Sequence, residues 1–287
     1  MGEPQAPAAI AVSARGFGLK GPRGWAFRGV GIDAEPGSLI AVEGPSGTGR
    51  TCLLLALSGR MKPTEGRASV GAFELPRQMS AVRGISALAH VPGVTDLEPA
   101  LTVGEHLLER ALLQRRFTGS VGDSLRDLLR PRAERAAEAR LRVDTALAAA
   151  GLDPSALPKG SRTAVRDLER LEALRLSVAL ALIGSPRLLA VDDIDLKLSD
   201  AERDEAWALL RSLAESGITV VAVCSEAPEG AVVVSTHPEA ERDEHPDAAD
   251  RTETGDDPEP EEHRDATGRE ETDDKETADA LPETGRA

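Results

Sequence analysis

The segment Gly44-Pro45-Ser46-Gly47-Thr48-Gly49-Arg50-Thr51 stands between the apolar run Leu39-Ile40-Ala41-Val42 and a helical run from Cys52 to Leu57. The apolar run reads as a buried strand, so the order is strand, glycine-rich turn, helix. That order leaves few folds open. Backbone N–H groups of such a turn point inward, and the helix N-terminus adds partial positive charge, so the segment makes a cradle for phosphate oxygens. The spacing is that of a P-loop, in which the hydroxyl at Thr51 can bind Mg²⁺. Arg50 occupies the motif's lysine position. A guanidinium is larger and planar, so it must displace the loop or point elsewhere.

The same alternation continues along the chain. Ala87-Leu88-Ala89-His90-Val91 reads as a strand, and Thr102 to Gln114 as a helix with Thr102 as N-cap and Glu105 at the capping-box position. From about 98 to 165 the text is rich in Leu, Ala, Arg and Glu at helical spacing, including Leu125, Leu128 and Leu129 and then Ala137 to Ala150. This reads as a helical subdomain inserted into an α/β core. The core pattern returns in Leu188-Leu189-Ala190-Val191, a helix near Ala201 to Ser216, and strands at Ile218 to Val223 and Ala231 to Val234. Alternating strands and helices imply a mostly parallel sheet. The residues from 165 to 183 read as a core helix with Leu168, Leu171 and Leu174 on one face.

The strand at Leu188 runs directly into Asp192-Asp193. An apolar strand ending in a carboxylate suits a Walker B magnesium ligand, which assigns Mg²⁺ to Thr51 and Asp192.

Charge is unevenly distributed. The net charge is -15, and residues 236 to 287 hold 20 Asp/Glu against 6 Lys/Arg, whereas the preceding 235 residues hold 29 against 28. The near-neutral body carries no nucleic-acid footprint. Beyond Ser235 the one aliphatic residue larger than alanine is Leu281, so the acidic tail, 236 to 287, is expected to be disordered. Leu281-Pro282-Glu283-Thr284-Gly285 matches a sortase pentapeptide, and is read as chance because the apolar span that sorting needs is missing. Cys52 and Cys224 lie far apart, which suggests neither a disulfide scaffold nor a cysteine zinc site. The longest apolar stretch, from Leu176, breaks at Ser185-Pro186-Arg187, short of the ~18 residues a spanning helix needs.

Taken together, these segments resemble the ATP-binding cassette of ABC transporters over about residues 10 to 235. Gly44 to Ser58 looks like the Walker A loop and its helix. Val91-Pro92-Gly93 followed by Leu101-Thr102-Val103-Gly104-Glu105-His106-Leu107 is similar to the Q-loop entry into the helical subdomain. Leu176 to Asp193 looks like the helix and Walker B strand, and Ile218 to Ser225 resembles the strand leading to the switch histidine. The resemblance implies an ABC-type P-loop NTPase core at 1–235 with the insertion at 98–165. It also implies ATP and Mg²⁺ as cofactors, with Gly44, Pro45, Ser46, Gly47, Thr48, Gly49, Arg50 and Thr51 around the nucleotide. The implied partner is a membrane permease, and the implied assembly is a homodimer of cassettes at the inner face of the cell membrane.

Several positions depart from the family's pattern. Leu168-Glu169-Arg170-Leu171-Glu172 occupies the place of the LSGGQ signature, and Gly160-Ser161 offers an alternative helix start. Gly93 stands at the Q-loop glutamine, Ser225 at the switch histidine, Ser199 at the D-loop aspartate and Asp193 at the catalytic glutamate. Gly21 falls at the adenine-stacking aromatic, leaving Trp25 or Phe17. Two functions follow as expectations: an ATP-binding subunit of an export system with weak hydrolysis, or a regulatory or assembly pseudo-ATPase without significant turnover.

Overall fold

The computed structural model describes residues 9–117, 131–195 and 197–236. The continuous apolar runs of the sequence became the strands of a parallel sheet. Strands β3 (Leu39–Glu43), β6 (Ser86–Ala89), β7 (Leu188–Val191), β8 (Thr219–Cys224) and β9 (Val232–Ser235) lie in the order β6-β7-β8-β3-β9. β3, β7 and β8 are interior strands, and β7 and β8 are buried along their whole length. With a side-chain period of two, alternate residues serve two separate cores. Leu39, Ala41, Leu189, Val191, Val220 and Ala222 face one core, while Ile40, Val42, Leu188, Ala190, Val221 and Val223 face the other.

The second core is closed by α1 (Arg50–Leu57) and by an antiparallel sheet that the sequence reading did not include. Its strands are β1 (Val12–Gly21), β2 (Gly24–Ala34), β4 (Glu65–Val70) and β5 (Phe73–Leu75), in the order β2-β1-β4-β5. Alternation is present in Phe27, Val30, Ile32 and Ala34, all of them buried. Register shifts between Ala14 and Lys20 break the period in β1, which hides the strand from a period-two search. A short helix, α2 (Met79–Ile85), then leads into β6.

The first core is covered by helices. α3 (Val103–Phe117) starts where expected: the Thr102 N–H donates to Glu105 Oε2 at 2.7 Å, and the Glu105 N–H donates to Thr102 Oγ1 at 3.3 Å. These bonds hold the Glu105 carboxyl below its ordinary range. α4 (Arg132–Ala149) and α3 both pack on α5 (Arg170–Leu182). Leu125, Leu128 and Leu129 lie outside the described residues, as do 237–287. The ends of the inserted stretch are zipped together: the Val103 N–H donates to the Thr163 carbonyl at 3.0 Å and the Val165 N–H to the Leu101 carbonyl at 2.9 Å. A segment so joined at its base can be inserted without separating the strands on either side of it.

The core helix expected from 165 begins later, at Arg170. Residues Val165–Asp167 form a 3-10 turn, Leu168 is extended, and Glu169 is the N-cap, its N–H donating to Glu172 Oε2 at 2.8 Å. Two glutamates three apart make a capping box that sets the start of the helix. Gly160-Ser161 likewise opens only a 3-10 turn, Gly160–Arg162, so it does not supply an earlier start for this helix. Leu171 and Leu174 are buried as expected, and Leu168 packs from outside the helix.

The last helix, α6 (Asp200–Glu215), is capped by Ser199, whose Oγ donates to Glu202 Oε2 at 2.6 Å. Ser199 thus has a local structural use at the position where the family carries aspartate.

Candidate functional site

Gly44–Thr51 links the C-terminal end of β3 to α1, on the edge of the sheet where β7, β8 and β9 also end. In open parallel sheets this is the edge where ligands bind. The N-terminus of α1 has no side-chain cap and no acidic residue in its first turn. Its free N–H groups and dipole are therefore available to an anion. Gly47 sits at a φ of 84°, and a side chain there would meet nothing within 4 Å. Gly49 is different. It holds a φ of 81°, and a Cβ on it would lie 1.9 Å from the Ala26 carbonyl oxygen of β2. This glycine is required because the loop passes directly against the antiparallel sheet.

The two residues assigned to magnesium are brought together from 141 residues apart, with Thr51 Oγ1 donating to Asp192 Oδ2 at 2.8 Å. Asp192 is only 2% exposed. Burial pushes its carboxyl above the ordinary range, opposed by the Thr51 hydrogen bond and assisted by the charge of Asp193. A buried carboxylate beside a hydroxyl, with its charge only partly compensated, is an oxygen donor set that suits a hard divalent cation. The residues present therefore fit an Mg-bound phosphate chain in their oxygen donors and in the open helix terminus.

Arg50 does not line that cradle. Its guanidinium is buried, its Nη1 donates to the Cys224 carbonyl at 2.5 Å, and its Nη2 lies 3.8 Å from Asp193 Oδ1. The sequence anticipates that an arginine could point elsewhere, and the structure supplies the destination: the C-terminal end of β8 and the residue after Asp192. Asp193 itself is held at a φ of 43° and engaged by Arg50, which contrasts with the free carboxylate expected at a catalytic position.

The other departures also acquire local partners. The Gly93 N–H donates to Asp96 Oδ2 at 2.9 Å. The Ser225 N–H donates to Asp195 Oδ2 at 2.7 Å, so Asp195, which the sequence reading did not single out, ties the loop after β7 to the end of β8. Thr236 was also missed. Assigned to the acidic tail by composition, it is buried, and its Oγ1 donates to Thr48 Oγ1 at 2.9 Å, while Thr48 donates to the Pro45 carbonyl at 2.8 Å. The last strand therefore braces the phosphate loop. Of the two aromatic residues left for stacking, Phe17 is fully buried 5.8 Å from the Phe27 ring and has no face to offer. Trp25 is exposed, one residue before the Ala26 that Gly49 touches, with Arg28 4.7 Å from its ring centre.

Comparison with known proteins agrees with this geometry. The family model described as ABC transporter matches residues 27–195. The phosphonates import ATP-binding protein PhnC of Thiobacillus denitrificans is 29% identical over 214 residues, covering 74% of this chain and 76% of its own length. ABC transporter A family member 5 of Arabidopsis thaliana is 29% identical over 190 residues, 66% of this chain. The chain spans only 18% of the length of that plant protein. Among solved structures, a dimeric ATP-binding cassette in a post-hydrolysis state bound to ADP and Pi superposes with a TM-score of 0.56 at 21% identity. That match covers 75% of this chain and 88% of the other.

Proposed function

The chain belongs to the ABC transporter family, and from that premise we propose that it is an ATP-binding subunit that holds Mg-ATP at Gly44–Thr51 and works beneath a separate membrane permease as a homodimer of cassettes. One observation carries the reading: the Thr51 hydroxyl and the Asp192 carboxylate meet at 2.8 Å directly below an uncapped helix N-terminus. The backbone of Gly47 to Thr51 would receive the phosphates, Thr51 and Asp192 would hold Mg²⁺, and Trp25 would offer the exposed aromatic face. The ion, when bound, supplies positive charge against the phosphate oxygens. The body of the cassette is taken as the residues up to Thr236, with the helical insertion at 98–165.

A permease partner and a position at the inner face of the membrane follow from the names of the relatives, and no helix among the described residues is long and apolar enough to cross a membrane. A phosphonates import protein is among those relatives, so the proposal names transport without a direction. The test is titration of a fluorescent ATP analogue with and without Mg²⁺. Wild type is expected to bind more tightly with the ion, and Thr51→Val and Asp192→Asn are expected to lose that difference. Binding that is indifferent to Mg²⁺ in wild type would remove these two residues from the site.

A second reading, a regulatory cassette with little turnover, is favoured by Arg50. Its charge is spent on Cys224 and Asp193, leaving the phosphate cradle with backbone donors and no side-chain cation from the loop.

A further inference from the structure

A second polar cavity lies away from the phosphate loop, between the β6 edge of the sheet and the helices α3 and α5. It encloses about 370 Å³ and is lined by Arg60, His90, Asp96, His106, Arg110 and Ser177, with apolar walls from β6 and α5. That size falls within the ~300 to 1,000 Å³ range of small-molecule sites.

The charges in this cavity are unbalanced. Arg60 and Arg110 make no ion pair with a carboxylate among the described residues. Arg60 is fixed by donating through Nη1 to the Ser58 carbonyl at 2.7 Å and to Ser86 Oγ at 2.8 Å. Arg110 is anchored only through Nε, which donates to the Leu180 carbonyl at 3.1 Å, and its terminal nitrogens have no bonded partner among the described residues. Burial makes both guanidinium groups weaker bases than usual, and the charges of Arg83 and Arg110 add to the effect on Arg60. Two cations held near one another in a partly dry cleft repel, which is costly unless an anion joins them. Asp96 is the carboxylate on the cavity wall, and it is already engaged by the Gly93 N–H.

An independent observation points the same way. Ser177, on α5, is 4% exposed, and its Oγ has no hydrogen-bond partner. A buried unpaired hydroxyl costs ~1 to 3 kcal/mol, and most buried polar atoms in folded proteins have a partner. This one lines the same cavity as the two arginines.

We propose that this cavity binds a small anionic solute, through a phosphate or carboxylate group received by the Arg110 fork, the fixed charge of Arg60 and the Ser177 hydroxyl. The site is separate from the cradle at Gly44–Thr51, and it does not depend on whether that cradle binds ATP. The carboxylate and phosphate sources share one chemistry, and calorimetric titration of the full chain with citrate and, separately, with inorganic phosphate distinguishes them.

For at least one of these probes, Arg110→Gln is expected to weaken binding tenfold or more and Ser177→Ala three- to tenfold. Added NaCl is expected to weaken it further as the charges are screened. Arg60 also supports Ser58 and Ser86, so Arg60→Gln is read only alongside its melting curve, and Ser177→Ala carries the test if that variant fails to fold. Unchanged affinity for both anions in Arg110→Gln and Ser177→Ala would place any binding elsewhere, the phosphate loop included, and overturn the proposal. No binding of either anion, with binding of a deca-glutamate peptide instead, would make the cleft a docking surface for an acidic protein segment and would equally overturn it.

Discussion

Arg50 and Cys224 are joined by a hydrogen bond from guanidinium to carbonyl at 2.5 Å, across 174 residues of chain. The residue expected to reach for phosphate is instead a brace between the start of α1 and the end of β8. Its loss should therefore be read first in stability. Arg50→Ala removes a charged donor from a buried carbonyl, which costs ~1.5 to 3 kcal/mol. Urea unfolding should show that loss, while affinity for Mg-ATP changes less than threefold. A large loss of affinity with unchanged unfolding would put the guanidinium back at the phosphates.

Gly49 and Gly47 should behave differently, although both lie in the loop. A side chain at Gly49 collides with the Ala26 carbonyl, so Gly49→Val should destabilise the fold itself. Gly47 opens onto free space. Gly47→Ala should fold at a cost of about 1 kcal/mol for its left-handed backbone, yet bind ATP at least tenfold more weakly because the methyl group narrows the cradle. Circular dichroism melts alongside nucleotide titration separate the two effects. Equal affinity of Gly47→Ala and wild type would remove the loop from the nucleotide site.

Hydrolysis by the isolated chain should be slow, and Arg50→Lys should not restore it. A positioned acid or base contributes ~10² to 10⁴ in rate, and here Asp193 faces Arg50, while Gly93 and Ser225 offer only backbone groups. Steady-state phosphate release should fall at least ~100-fold below the ~10 s⁻¹ typical of enzymes. Turnover near that value, lost in Asp192→Asn, would rule out the regulatory reading.

Cys224 gives a check on the core. It is fully buried at the end of β8, and burial, reinforced by the carboxylates of Asp195 and Glu43, pushes its thiol up to about 12. A raised pKa means that the neutral thiol persists through pH 8, well below that value. Iodoacetamide at pH 8 should leave Cys224 unlabelled in the folded chain and label it fully in urea, as read by peptide mass spectrometry. Rapid labelling of the native protein would mean that the strand end is open.

Thr236 fixes where truncation begins to matter. Ending the chain after His237 should leave the melting temperature within about two degrees of wild type, since the removed stretch has little apolar area to bury. Thr236→Val, which breaks the bond to Thr48, should cost ~1 kcal/mol in urea unfolding. A drop of many degrees on truncation would show that the acidic segment packs on the body.

The sequence by itself determined the elements whose signal is local. β3, β7 and β8 are written as uninterrupted apolar runs because both faces of a central parallel strand are buried. The start of α3 is written in Thr102 and Glu105 because a capping box is complete within four residues. The phosphate loop was legible for the same reason, and Thr51 with Asp192 could be paired because each terminates or follows a recognisable element. Tertiary structure decided whatever depends on distant partners. β1 was hidden by bulges that only its neighbours in the sheet accommodate. Arg50 had a known position but no known destination until β8 placed the Cys224 carbonyl beside it, and Thr236 looked like tail until β9 carried it to Thr48. The cavity of Arg60, Arg110 and Ser177 draws on α1, α3 and α5, and no spacing along the chain records a charge balance set by packing.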